Sequence, residues 1–234
     1  MCTVVIEIAA EGVARVLAVR DEDPQREWDA LGPWWQDGHP GVIGIRDRRA
    51  GGAWLAADPG RRRLAVLLNR ADVRGLPEDR TVSRGALVLD AVAGRAPSAA
   101  DGSLPHHGFN LLEVSPSGAR VLSWDGVLLR ETPVPPGVHM IAHDDLDDPA
   151  TARIARWLPV FRDRASQGLD WPEGWVDLLA ETARLDPEDD RAIIRDNRPH
   201  GYPTQSLLYC VALVSPDGVV LRDEKLPHPG RWDR

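Results

Sequence analysis

TVVIEIA at 3–9 and ARVLAV at 14–19 flank Ala10-Glu11-Gly12-Val13, and this stretch reads as two short β-rich runs joined by a tight turn. The chain therefore opens with a strand pair. Outward from it, a Trp-rich segment (Trp28, Trp34, Trp35) reads as irregular, and further strands are expected at 42–45, 53–57 and 63–68, the last two joined by Asp58-Pro59-Gly60. Ser83 is placed to cap a helix over 84–93 whose apolar face is Leu87, Val88 and Ala91, with Gly94 just past its end. Strands follow at 109–114, 119–124, 127–130 and 138–142. Asp148 then reads as an N-cap with Pro149 at the first helical position, and Ile154, Trp157, Leu158 and Phe161 recur at helical spacing through 150–165, where Pro159 threatens a kink. A helix at 172–184 and strands at 206–214 and 218–223 complete the order.

Hairpins interrupted by few helices suit antiparallel sheets covered by helices, because parallel crossovers require helices to alternate with strands. The runs 109–114 and 206–214 are apolar almost throughout, as expected of strands buried on both faces of stacked sheets. The fold class is thus α+β, and residues 1–234 read as one domain. No P-loop or dinucleotide glycine fingerprint is present.

With 28 basic and 36 acidic residues the formal charge is -8, and the one compact basic run, Arg61-Arg62-Arg63, adjoins a turn, so no nucleic-acid partner is expected. Lysine occurs once, at Lys225. No apolar run reaches membrane-spanning length, no secretory signal opens the chain, and two cysteines cannot build a disulfide scaffold, which together suggest a cytoplasmic protein without an integral membrane segment. Oligomeric state is left open.

Cys2 has a chemical option that an internal cysteine lacks. Removal of Met1 leaves a free α-amine two carbons from the thiol, so one residue holds a nucleophile and a proton acceptor. The alternative is an inert strand-start residue. Pairing of the first two strands returns Arg20-Asp21-Glu22 to the side where Cys2 begins. There an arginine favours the thiolate and binds a carboxylate or oxyanion, while Asp21 can hold the α-ammonium. Cys2 is accordingly expected to be accessible and more reactive than Cys210, which lies in an apolar strand. His139 and His143 on one strand would sit about 13 Å apart, too far for joint metal ligation, and no metal site is expected.

Met1-Cys2, Val19-Arg20-Asp21-Glu22, Gly44-Ile45-Arg46-Asp47 through Ala50-Gly51-Gly52-Ala53-Trp54-Leu55, Leu68-Asn69-Arg70, Ser83-Arg84-Gly85 and Gly108-Phe109-Asn110-Leu111-Leu112 form an ordered set, continued more loosely by Gly137-Val138-His139 and Gly201-Tyr202-Pro203-Thr204. In this set the chain resembles the NRDE family, named after an Asn-Arg-Asp-Glu signature, whose eukaryotic members are called transport and Golgi organisation proteins. The resemblance implies a four-layer αββα sandwich like that of N-terminal nucleophile hydrolases of the cysteine branch. It implies an amidase or acyltransferase in which Cys2 is nucleophile and base, Arg20 and Asp21 are its charged support, and Asn69 donates to the oxyanion. No cofactor is required in that reading. Trp54 and His143 are candidates for contact with the acyl or amide substrate. The sequence departs from the family at Val19, where the signature has Asn, at Ala142-His143, where Ser-Asn is common, and at Gln205, where Arg is common. Two other readings stay open: a non-enzymatic haem-binding or haem-trafficking protein, although no CxxCH attachment motif occurs, and an interaction protein retaining only the architecture.

Overall fold

A computed structural model describes residues 2–9, 12–73, 80–97, 104–168 and 170–233. One sheet contains β1 (Thr3–Ile8), β2 (Ala14–Glu22), β10 (Gly137–Ile141), β11 (Gln205–Ser215) and β12 (Gly218–Lys225), in the order β10-β1-β2-β11-β12. The other contains β3 (Trp28–Gly32), β4 (Ile43–Asp47), β5 (Ala53–Asp58), β6 (Arg63–Asn69), β7 (Phe109–Ser115), β8 (Gly118–Trp124) and β9 (Leu129–Val134), in sequential order. All pairings in both sheets are antiparallel.

Alternation along the strands sorts the core into layers. Val4, Ile6, Val16 and Ala18 of the first sheet meet Leu55, Val66, Leu68 and Leu112 of the second. The opposite faces are also apolar: Val5, Leu17 and Val19 pack under α2 (Ala152–Ser166) and α3 (Glu173–Thr182), whereas Ala65, Leu111 and Leu122 pack under α1 (Gly85–Val92). Helices, sheet, sheet and helix therefore succeed one another, and strands such as β7 and β11 are buried on both faces, as their apolar runs required.

Several local expectations are corrected. The Trp-rich segment contributes β3, a five-residue edge strand joined to β4 by the Arg46–Asp29 ion pair at 2.6 Å, with Trp28 and Leu31 packed against the core but too short a run for apolar alternation to reveal it. β9 lies at 129–134 rather than 127–130, and its place at the sheet edge accommodates Pro133. α2 begins at Ala152 with Thr151 as N-cap, because Asp148 instead accepts the Ala150 N–H at 2.8 Å and forms a turn. Arg84, not Ser83, occupies the N-cap of α1. Pro159 does not interrupt α2, since it lies on the exposed side while Ile154, Trp157, Leu158 and Phe161 face the core. In the opening turn Ala10 and Glu11 lie outside the described residues, but Gly12 takes φ +74° and the Ala9 N–H meets the Val13 carbonyl at 2.8 Å. Among the described residues no helix is long and apolar enough to cross a membrane.

Candidate functional site

β2 is the middle strand of its sheet and runs on to Glu22, so Arg20 and Asp21 lie within the strand instead of following it. The register Thr3↔Val19 brings Cys2 alongside this end of β2, and the Cys2 Sγ donates to the Asp21 carbonyl at 3.7 Å. Opposite, the start of β5 adjoins the end of β6, the middle strand of the second sheet, and presents Trp54 near Asn69. Cys2, Arg20, Asp21, Trp54 and Asn69 all line one cleft of 860 Å³. Met1 lies outside the described residues.

Arg20 is 2% exposed and sits 5.7 and 5.9 Å from the ring centres of Trp28 and Trp54. Each such contact contributes on the order of 1 kcal/mol when desolvated. Its Nη2 faces Glu22 at 3.6 Å, but its Nη1 is buried without a hydrogen-bond partner, and so is the Trp54 Nε1. A buried donor left without an acceptor costs about 1–3 kcal/mol, so a fold that keeps two of them in one cleft keeps them at a cost to stability. Burial pulls the Arg20 guanidinium below its usual range, and the Glu22 carboxylate opposes the shift.

Burial pushes the Cys2 thiol up, and the Asp21 charge adds to it; the Asp21 hydrogen bond and the Arg20 charge pull the other way without prevailing. Cys2 is only 6% exposed. The expectation of an open thiol with a favoured thiolate is thus corrected: the resting thiol is buried and protonated, because desolvation outweighs a nearby guanidinium.

Asp21 is held by groups that the sequence did not announce. Ser206 donates to Oδ1 at 2.6 Å and the Asn197 amide reaches Oδ2 at 3.5 Å. Both partners are fixed by buried Arg195, whose backbone N–H meets Ser206 Oγ at 2.8 Å and whose Nε meets Asn197 Oδ1 at 2.9 Å. A bulge between Ser206 and Leu208 sets this register against β2. Arg153, on α2, donates to Thr3 Oγ1 at 3.0 Å, and burial and the Arg195 charge push its guanidinium down to about 10. Nothing local marks these residues, because Ser206 and Asn197 reach Asp21 across 185 and 176 positions of chain, and Arg153 reaches Thr3 across 150.

The cleft wall facing Cys2 is cationic. Arg84 is half-buried, donates to the Gly108 carbonyl at 2.7 Å and has no carboxylate within 4.0 Å among the described residues. Burial lowers its guanidinium, and the Asp72 and Glu22 charges oppose the shift. Arg26 is paired with Asp47. Burial alone would raise the Asp47 carboxyl, but the Arg26 hydrogen bonds prevail and hold it below the carboxylate range.

His143 is not among the residues lining the cleft; its Nε2 faces Asp144 at 3.2 Å, and burial and the Arg153 charge lower its pKa. The Ala142–Asp144 loop is anchored to the second sheet by Asn110, whose Nδ2 donates to the Ala142 and Asp144 carbonyls at 3.3 and 2.8 Å. Gln205 donates to Asp196 Oδ2 and the Pro229 carbonyl, away from the cleft, and Val19 is buried under the helices.

In comparison with known proteins, the family model described as Transport and Golgi organisation 2 (TANGO2) matches residues 1–168, from the first residue through the whole of α2. No curated protein matches the chain. Since the matched part is well over half of the sequence and contains Cys2, Arg20, Asp21, Trp54, Asn69 and Arg84, the chain belongs to the Transport and Golgi organisation 2 family.

Proposed function

We propose that this protein is an N-terminal cysteine hydrolase-like enzyme acting on an amide or acyl substrate through Cys2, with the helix-sheet-sheet-helix layering read as the αββα sandwich of N-terminal nucleophile hydrolases. The observation that carries the reading is the shared cleft of Cys2, Arg20, Asp21 and Asn69. In this mechanism Met1 is removed and the Cys2 α-amine takes the thiol proton as Sγ attacks the carbonyl carbon. Coupling the two events suits a thiol that burial keeps protonated at rest. Asn69 donates to the oxyanion, a contact worth about 3 kcal/mol in hydrolases. Asp21, held by Ser206 and Asn197, orients the α-ammonium, which returns its proton to the leaving nitrogen as the C–N bond breaks. Water, or a second amine in a transferase, then attacks the thioester, releasing the acyl product and restoring the thiol. All of 1–234 acts as one domain here, because Ser206 and Asn197 lie beyond the family match.

Haem fits the site poorly. A porphyrin needs two broad apolar walls, whereas four guanidinium groups and three carboxylates share this lining with Trp54, Leu67 and Val82.

Intact mass spectrometry of natively expressed protein is expected to show loss of Met1, and processed protein is expected to hydrolyse members of a panel of N-acyl amides while Cys2→Ala does not. Retained Met1, or equal hydrolysis by both proteins, rejects the mechanism. Visible spectra recorded on the same samples with added haem test the carrier alternative; stoichiometric binding without hydrolysis would replace the enzyme reading.

A further inference from the structure

We propose that the Cys2 cleft contains a carboxylate-binding subsite formed by Arg20, Trp54 and Arg84, so that the substrate is an amide bearing a monoanionic carboxylate. This rests on the hydrolase-like reading of the cleft and adds the substrate class to it. Two observations converge. Arg20 Nη1 and Trp54 Nε1 are buried N–H groups without an acceptor on side chains that line the same cleft, and the Arg20 guanidinium lies over the Trp54 ring at 5.9 Å. A carboxylate oxygen is the acceptor that satisfies such donors, and charge-assisted hydrogen bonds are the strong ones.

The second observation is the charge distribution. The protein carries -8 overall, yet four guanidinium groups face three carboxylates in this cleft, a surplus of one positive charge. Glu22 faces Arg20, Asp47 is taken up by Arg26, and Asp21 by Ser206 and Asn197. Arg84 and Arg49 line the cleft with no carboxylate within 4.0 Å among the described residues. A monoanion neutralises that surplus. A phosphate dianion overshoots it by one charge, which favours a monoanionic carboxylate. The Ser83 hydroxyl, also in the lining, accepts the Gly85 N–H at 3.3 Å and no hydrogen bond from Arg84.

The test compares binding of N-octanoylglycine with that of its neutral isostere N-octanoylglycinamide by titration calorimetry, using Cys2→Ala protein so that turnover does not interfere. The acid is expected to bind at least about tenfold more tightly, the scale of one charge-assisted hydrogen bond. Arg84→Gln is expected to weaken binding of the acid more than that of the amide and so to reduce the difference, and Arg49→Gln, at an exposed position, to reduce it less. Equal affinities for acid and amide overturn the proposal, as does a preference that neither arginine substitution reduces. Inorganic phosphate displacing the acid at lower concentration than acetate does would overturn the choice of carboxylate. In active wild-type protein the two hypotheses separate: hydrolysis of acid and neutral amide at equal kcat/KM sinks the subsite and spares Cys2 catalysis, whereas selective binding of the acid without hydrolysis sinks the catalysis and spares the subsite.

Discussion

Cys2 and Cys210 lie two strands apart in one sheet, and burial pushes both thiols up, Cys210 well above the ordinary range with Asp223 adding to the shift. A thiol raised in the folded state binds its proton more tightly there than in the unfolded chain, where it titrates at about 8.5. Its contribution is therefore fully present below that pH and is lost as pH rises toward the folded value. Stability in urea is expected to fall between pH 8 and pH 10, each scale point taken against that reference value of about 8.5, and less steeply in Cys210→Ala. Parallel pH profiles for the two proteins would show that Cys210 ionisation plays no part. At this scale the site is a balance of desolvation against charge: it keeps the Cys2 thiol protonated and leaves Arg20 Nη1 without an acceptor.

The elements that carry the cleft approach one another very closely. At the start of α1 a Cβ on Gly85 would meet the Gly52 Cα at 2.9 Å, and one on Gly52 would meet the Gly85 carbonyl carbon at 2.5 Å. Backbone lies on backbone here, with no flexible side chain to yield. The contact also sets the position of Arg84 one residue earlier, at the helix N-cap. Gly85→Ala is expected to lower the unfolding free energy by about 1–3 kcal/mol, the usual range for overpacking, and to weaken anion binding in the cleft at the same time. Urea melts measure the first effect; an unchanged midpoint would mean that helix and strand separate there without cost.

Across the whole molecule, the family match ends at residue 168, yet β11 lies inside the first sheet, between β2 and β12. A chain cut after 168 loses α3, β11 and β12, exposing the free edge of β2 and the apolar surface around Leu17 and Val19. It also leaves Asp21 without Ser206 and Asn197. Residues 1–168 alone are expected to show no cooperative thermal transition by circular dichroism. A well-dispersed amide spectrum from that fragment would overturn the view that the C-terminal strands are integral to the site.

Binary pattern alone determined most of the strands and all three helices, because apolar runs such as 109–114 and 206–214 satisfy their backbone groups only by pairing within a buried sheet. The same reading placed Arg20 and Asp21 beside Cys2, since a tight turn makes the register of the first two strands a local matter. The boundaries of β9 and α2 and the existence of β3 escaped it, being set by edge position, an Asp148 turn and a polar ion pair instead of by apolar spacing. Tertiary structure alone decided which groups hold Asp21, where Arg84 stands, that His143 lies outside the cleft lining, and that the Cys2 thiol is buried. The physical reason is that these facts depend on the meeting of two sheets and on long-range strand pairing. Solvent exclusion and charge proximity are properties of that assembly, and no spacing along the chain encodes them.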